Sequence, residues 1–358
     1  MGKQQGNIMS KKKIFVIFTG GTICTLIKNG IMDTDSEATL ALIDFYKKSD
    51  SACKDEVDFT IGESFDILSE NMTVDCWNKL IAYILDNLDT LKEFDGIIIA
   101  HGTDTLAYST SLFSALLKGF EVPLIFVSSN FSIMNEDGTP NLQANGNINF
   151  KAAVECIHKG ICPGVYATYK NPEDKRIYLH NGGHLIQCTI YDDNFYSCDP
   201  VNITDLNKHN LNNLWWKEKD NKNNMLILKL KDKVLENCVL KVNPYVGLNY
   251  DLFNLKKVKA VLHGAYHSGT SCVVKNHKNA NYNNNSILYF FDICAELNIP
   301  FYYSPSPTGD GFNVYASVPY IRNHTANGQK PIILYGDTEE LVYAKLIIKY
   351  SLGIENLI

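Results

Sequence analysis

Apolar runs of strand length alternate with segments of helical period through the first two hundred residues. The runs at 14–19, 96–100 and 124–128 predict strands, and 58–67 predicts a further extended segment. Between them, apolar positions recurring every three or four residues predict helices over 37–46, 73–88, 105–117 and 149–158. The first should turn Leu40, Ile43 and Phe45 inward. In the second, Thr73 is placed to cap a stripe of Trp77, Leu80, Ile81, Ile84 and Leu85, which reads as core rather than as a binding face. Strands buried on both faces and alternating with helices imply an α/β fold, with a mostly parallel, doubly wound sheet.

The pattern breaks over 201–224, where Asn, Lys and Asp surround Trp215 and Trp216, so a surface linker is expected there. Beyond it, apolar runs at 225–230, 239–242, 259–262 and 300–303 predict strands, and 286–297 and 339–352 predict helices. The expected organisation is a polar extension over 1–13, a larger N-terminal domain over 14–200, the linker, and a smaller α/β domain over 225–358. An Asn-rich patch at 276–285 should form a loop tip.

Composition narrows the function. The chain has 358 residues and a net charge of −6, from 33 Lys+Arg against 39 Asp+Glu, which argues against nucleic acid as a partner. No apolar run approaches the roughly 18 residues of a membrane span, and the short run after the amino terminus fails as a secretory signal, so a cytoplasmic chain without a membrane partner is expected. Ten cysteines are scattered from Cys24 to Cys294 without a Cys-x-x-Cys pair, which fits reduced, mostly buried thiols and no metal site. No cofactor is called for.

Two strand ends carry the chemistry. In Phe18-Thr19-Gly20-Gly21-Thr22-Ile23, a strand meets two glycines, so the backbone can turn sharply and leave the Thr22 hydroxyl at the carboxyl edge of the sheet, where ligands of open α/β sheets bind. The spacing lacks the third glycine of a dinucleotide loop. The strand over 96–100 delivers His101-Gly102-Thr103-Asp104-Thr105, which sets a hydroxyl and a carboxylate at the start of a helix. Each end also has a purely structural alternative: a satisfied turn at Thr22, a packed His101, and a helix cap at Asp104. Acyl transfer by a hydroxyl needs a nucleophile, a proton acceptor and oxyanion donors, and these two ends supply all but the acceptor.

Thr19-Gly20-Gly21-Thr22-Ile23 and His101-Gly102-Thr103-Asp104-Thr105 together resemble the two signatures of the bacterial-type L-asparaginase family, closest to its cytosolic branch. Leu68-Ser69-Glu70-Asn71-Met72-Thr73 is similar to the family's substrate-carboxylate loop, and Gly336-Asp337-Thr338 with Ala344-Lys345-Leu346 to its closing helix. The resemblance implies a larger N-terminal and a smaller C-terminal α/β domain, and hydrolysis of L-asparagine, with L-glutamine as a possible second substrate. It implies Thr22 as the nucleophile, Thr103 as the group that orients water, and Asp104 as the holder of the α-amino group. Ser69, with Glu70 beside it, would hold the α-carboxylate, backbone N–H groups near Thr22 and Thr103 would form the oxyanion hole, and Gly21 and Gly102 would belong to the substrate-binding site. It also implies a homo-oligomer, dimer or tetramer, with His267, Ser268 and Thr270 near a subunit contact.

Two family parts do not stand where expected. Cys24 through Asp33 contains no tyrosine, and Arg176 through His184 contains no lysine. His180 or His184 could replace the lysine as base, or be loop histidines; Lys170 and Lys175 lie nearby in sequence. Three functions therefore compete: an asparaginase-like amidohydrolase; a related amidase, such as the ammonia-generating subunit of a tRNA-dependent amidotransferase; and a non-hydrolytic protein that binds asparagine or aspartate.

Overall fold

The computed structural model describes residues 10–28, 31–34, 36–204, 225–275, 281–304 and 315–358. The first nine residues, most of the expected linker with Trp215 and Trp216, and residues 276–280 of the Asn-rich patch lie outside them. The chain divides into two compact units, Met1–Lys231 and Asp232–Ile358.

In chain order the first unit contains β1 (Lys12–Phe18), β2 (Thr25–Lys28), β3 (Ile31–Thr34), α1 (Ser36–Lys47), β4 (Val57–Ser64), α2 (Val74–Asp86), α3 (Leu88–Leu91), β5 (Gly96–Ala100) and α4 (Leu106–Leu116). There follow β6 (Leu124–Val127), α5 (Gly146–His158), β7 (Val165–Lys170), β8 (Ile177–Asn181), β9 (Leu185–Ile186), β10 (Tyr196–Ser197) and β11 (Val201–Asn202). Seven strands form one sheet in the order β11-β8-β7-β6-β5-β1-β4. The five from β4 to β7 are parallel, and β8 runs antiparallel to β7, as β11 does to β8. The mostly parallel, doubly wound sheet expected from the alternation is present. Val201–Asn202, the start of the expected linker, is instead an edge strand of this sheet.

One sheet face, with Ile14, Val16, Ile98 and Ile125, packs on Leu42, Ile43 and Tyr46 of α1 and Phe150, Val154 and Ile157 of α5. On the other face, Phe113 of α4 meets Phe126, their ring centroids 6.0 Å apart, and Trp77 Nε1 of α2 donates to Ser109 Oγ of α4 at 3.0 Å. The Thr73 hydroxyl accepts from the Cys76 N–H and caps α2, as its position predicts. Leu40, expected inward, is exposed, because α1 turns Ala41, Leu42, Ile43 and Tyr46 to the sheet. Helix α5 begins three residues earlier than expected. Its polar start is buried: the Gly146 N–H donates to Ser129 Oγ, and Asn149 donates to the Ser128 carbonyl and accepts from the Lys170 N–H, tying the ends of β6 and β7 together.

The expected strand at 225–230 is a short 3₁₀ helix over Leu226–Leu230. Its buried residues Ile227 and Leu230 are three apart, which is the 3₁₀ repeat, and a six-residue apolar run carries no signal that separates this from a strand. The second unit has a four-stranded parallel sheet of β12 (Val239–Val242), β13 (Ala260–His263), β14 (Phe301–Tyr303) and β15 (Ile332–Ile333). With it are α6 (Ile287–Glu296), α7 (Ser317–Asn323) and α8 (Glu339–Leu352). The Thr338 hydroxyl caps α8 and Lys345 pairs with Asp337. Thr270 returns its carbonyl to the Tyr266 N–H, so 266–270 is a tight polar turn. Among the described residues, no helix is long and apolar enough to cross a membrane. All ten cysteines are free, with Cys24, Cys53, Cys156, Cys162, Cys238 and Cys294 buried.

Candidate active site

The chain leaves β1 for β4 on one side of the sheet and β5 for β6 on the other, so the direction of winding reverses between β1 and β5. At such a switch point the loops diverge and open a crevice at the carboxyl ends of the strands. Both threonine motifs lie at that edge.

Glycine makes the meeting of these ends possible. Gly20 and Gly21 have φ of 111° and 76°, and a Cβ on Gly21 would lie 2.2 Å from the Gly102 Cα. A Cβ on Gly20 would lie 2.3 Å from the Ile67 carbonyl oxygen, and one on Gly102 2.3 Å from the Ser69 Cβ. Three segments, after β1, β4 and β5, are thereby pressed together. Hydrogen bonds hold the contact: the Thr19 hydroxyl donates to the Ala100 carbonyl at 3.0 Å, and the Ile67 N–H to the Thr19 carbonyl at 2.8 Å.

Thr22 opens a single 3₁₀ turn over Thr22–Cys24 and is half-buried. Its carbonyl accepts from the Thr25 hydroxyl, while its own hydroxyl makes no hydrogen bond among the described residues. Cys24, two residues on, is buried and its thiol is pushed up to about 12, which makes it an unreactive core group. Ser69 is buried and donates to Asp104 Oδ2 at 3.2 Å, and its carbonyl accepts from the Thr105 hydroxyl. Glu70 follows it, exposed, in the turn over Ser69–Asn71. The N–H groups of Gly102 and Thr103 find no acceptor among the described residues.

The structural alternative for Asp104 fails, since the cap position of α4 falls on Thr105 and Asp104 is engaged by Ser69. The alternative for His101 holds. That ring is buried, its Nδ1–H donates to the Gly102 carbonyl at 2.8 Å, and burial lowers its pKa to about 4, so it is a neutral packed histidine. His180 is also buried, on Ser197 Oγ at 2.9 Å, with its pKa lowered to about 3 by burial; His184 pairs with Asp199 at 2.8 Å. Neither lines the cavity of ≈ 340 Å³ that Thr103 and Asp104 border, and neither do Lys170 and Lys175.

Gln187 borders that cavity beside Thr103, and sequence reasoning missed it. Its Nε2 donates to the Thr103 carbonyl at 2.9 Å and its Oε1 accepts from the Ala107 N–H at 3.1 Å, so one amide pins the second motif to the first turn of α4. Gln187 follows β9, which pairs with β10 just beyond the sheet's antiparallel strand β8. The Gly182-Gly183 pair is the local sign of a turn there, and nothing in the sequence gives the register of the strands that follow.

Residues 13–170 match the family model "Asparaginase, N-terminal". Among named relatives, a glutamyl-tRNA(Gln) amidotransferase subunit of Methanosphaera stadtmanae is 28% identical over 263 residues, 67% of this chain and 55% of that protein. L-asparaginase 1 of Escherichia coli strain K12 is 32% identical over 140 residues, 37% of this chain and 39% of that one. The chain spans about half the length of the amidotransferase subunits it matches. In fold it is similar to L-asparaginase I of Vibrio cholerae O1, with a TM-score of 0.64, 19% identity, and coverage of 97% of this chain and 94% of that one. The thermostable L-asparaginase of Thermococcus kodakarensis gives a TM-score of 0.63 at 17% identity, over 96% and 94%. The match over residues 13–170 and these relatives support the asparaginase family, through the N-terminal part of the chain.

Proposed function

We propose that the chain is an amidohydrolase that cleaves the side-chain amide of L-asparagine to L-aspartate and ammonia through an acyl-enzyme on Thr22. The observation that carries this reading is the close packing of Gly21 on Gly102, the glycines that precede Thr22 and Thr103, with Ser69 hydrogen-bonded to Asp104 beside them. Thr22 Oγ attacks the amide carbon, the C–N bond breaks, and ammonia leaves with the hydroxyl proton. Water, oriented by Thr103, then splits the ester and regenerates Thr22. N–H groups at Gly21, Gly102 and Thr103 receive the oxyanion, worth about 3–4 kcal/mol per donor in comparable sites. Asp104 holds the substrate's α-ammonium and Ser69 its α-carboxylate, with Glu70 beside it. A small-molecule substrate, a cytoplasmic location and assembly as a dimer or tetramer of identical chains belong to the same reading.

One observation favours a second reading. Among the described residues, the side chain hydrogen-bonded to Thr103 from outside the motif is the amide of Gln187, on the backbone carbonyl, and an amide cannot take a proton at neutral pH. A site so built can hold asparagine or aspartate without hydrolysing it.

The test is ammonia release from L-asparagine and L-glutamine by the protein and by Thr22→Ala, alongside calorimetric binding of L-aspartate. Hydrolysis of asparagine that falls by about 10⁴-fold in the variant, with aspartate binding retained, is the expected outcome. A rate equal to that of the variant, together with saturable aspartate binding, replaces the hydrolase with the binding protein. Preference for glutamine would move the chain toward the amidotransferase subunits.

A further inference from the structure

The peptide that joins Thr103 to Asp104 is held at both of its polar ends by side chains from other parts of the chain. Its N–H, that of Asp104, donates at 3.4 Å to Ser69 Oγ, in the segment after β4. Its carbonyl, that of Thr103, accepts from Gln187 Nε2 at 2.9 Å, in the segment after β9, and from the Leu106 N–H at 3.3 Å. A peptide is planar, so holding both ends fixes ψ of Thr103 and φ of Asp104. Those two angles set how the Thr103 hydroxyl and the Asp104 carboxylate stand to each other.

Gln187 can do this in one orientation only. The Thr103 carbonyl only accepts and the Ala107 N–H only donates, so the amide must turn Nε2 to the first and Oε1 to the second, as it does, at 2.9 and 3.1 Å. The same nitrogen also donates to Cys188 Sγ at 3.3 Å. Ala107 is the second residue of α4, and the first N–H groups of a helix have no acceptor within it, so Oε1 supplies one. One half-buried amide thus ties the Thr103–Asp104 peptide to a helix whose core face is packed on the sheet.

We propose that Gln187 is the positioning residue of this site. It acts through Thr103 and Asp104, holding their shared peptide in the orientation in which both residues border the cavity. The role of Thr103 in orienting water rests on the amidohydrolase reading; under the binding reading the same contact places Asp104 for the ligand's ammonium.

The test replaces the amide in two ways. Gln187→Met keeps the length and removes both hydrogen bonds. Gln187→Glu keeps them only while protonated: a carboxylic acid donates through its O–H and accepts through its carbonyl as the amide does, whereas a carboxylate meets the Thr103 carbonyl with a second acceptor. The titratable groups that line the cavity with it among the described residues are Asp104, Tyr169, Cys188, Tyr191, Asp192 and Asp193. None of these carries a positive charge, and three carboxylates hold an introduced carboxyl protonated to higher pH.

The kcat and KM for asparagine and the calorimetric binding of L-aspartate are measured at pH 5 and 8, each relative to the unaltered chain at the same pH. At pH 8 both variants should lose about 10–100-fold in kcat, the size of a misplaced group, with a smaller change in KM. At pH 5 Gln187→Glu should recover most of that loss and Gln187→Met none. A purely structural amide would give losses independent of pH in both variants. That outcome, or no loss at all, overturns the proposal and leaves the amidohydrolase reading intact. Should Gln187→Met fail to fold, Gln187→Glu compared with itself at the two pH values carries the same contrast. If the unaltered chain binds aspartate without hydrolysing asparagine, the amidohydrolase reading falls, and the same pH-dependent recovery in the dissociation constant supports Gln187. A chain that neither hydrolyses nor binds overturns both.

Discussion

Two strand ends in this molecule are built alike, one in each unit. β5 ends in His101-Gly102 and β13 in His263-Gly264, each a buried histidine whose Nδ1–H donates to the carbonyl of the following glycine. Burial holds both imidazoles neutral, with pKa values lowered to about 4. Each glycine leaves room for a polar side chain, Ser69 at Gly102 and both Asn243 and Glu339 at Gly264. What differs is the completion. His263 Nε2 accepts from the Tyr250 hydroxyl at 2.7 Å, and the chain beyond closes into the turn ending at Thr270. His101 Nε2 has no partner among the described residues, and beyond Gly102 come the hydroxyl and carboxylate of Thr103 and Asp104. The His-Gly pair is therefore a device of parallel-sheet construction. In the proposed function the chemistry comes from the neighbouring strand, since β1 brings a second glycine turn and Thr22 to β5, whereas β12 leads into Asn243 and Pro244.

The sharpest break of this comparison is an added methyl group. Gly21→Ala would force a Cβ within 2.2 Å of the Gly102 backbone at a φ of 76°, where neither side can yield by rotating a side chain. A cost above about 3 kcal/mol is expected, enough to separate the two motifs and end activity. Gly264→Ala meets only the ends of Asn243 and Glu339, at 2.6 Å, and Glu339 can move at the expense of its 2.7 Å pair with Lys241. About 1–2 kcal/mol is expected there. Urea unfolding of the two variants measures the difference, and equal costs would mean that both contacts are rigid packing with nothing particular to the site.

The extent to which this was legible in the sequence follows the same division. β5 was readable to the residue because a strand buried on both faces is a continuous apolar run, and α2 because its stripe repeats at helical spacing. The glycine turn at Gly20-Gly21 and the helix start after Asp104 were readable because backbone sterics restrict what those residues can be. The packing of Gly102 on Ser69 was not, since it depends on two loops meeting across the sheet edge. Gln187, Asp192 and Asp193 were missed for a related reason: they reach the site by pairing of short strands beyond an antiparallel edge, whose register leaves little trace in a single sequence. Leu40 and the 225–230 run show the other limit, where local period is too short or too ambiguous to fix a face or a helix type.

Acid should sharpen the comparison next. A histidine with a folded pKa near 4 and an unfolded value of 6.5 stays neutral in the fold while the unfolded chain takes up a proton. The unfolded state therefore binds more protons between those values, so stability is fully present above pH 6.5 and is lost as pH falls toward 4, at up to about 1.4 kcal/mol per pH unit per histidine. Among the described residues, the first unit carries two such groups, His101 and His180, and the second carries His263. Hydrogen exchange at pH 7 and 5 should show the protection of β5 and β8 falling about twice as steeply as that of β13. His101→Asn should flatten the slope in the first unit alone, whatever it does to stability at neutral pH. Equal slopes in the two units would mean that they unfold as one.

The smallest effect tests what the missing partner of His101 means. Tyr250→Phe keeps the ring stacked on Phe290, at 4.5 Å and 14°, and removes only the hydroxyl that His263 Nε2 accepts. His263 would then stand as His101 does, its Nδ1–H still on a glycine carbonyl and its Nε2 buried and unmatched. Leaving a buried acceptor unsatisfied costs about 1–3 kcal/mol, and the stacked ring offsets none of it, so a loss of about 1–2 kcal/mol in urea unfolding is expected. A loss of that size would mean that the first unit carries a comparable cost at His101, concentrated one residue from the glycine that faces Gly21 and Ser69. A loss near zero would mean that a neutral buried imidazole tolerates one unmatched nitrogen. In that case the open Nε2 of His101 says nothing about the site, and the difference between the two strand ends rests on Thr22, Thr103 and Asp104 alone.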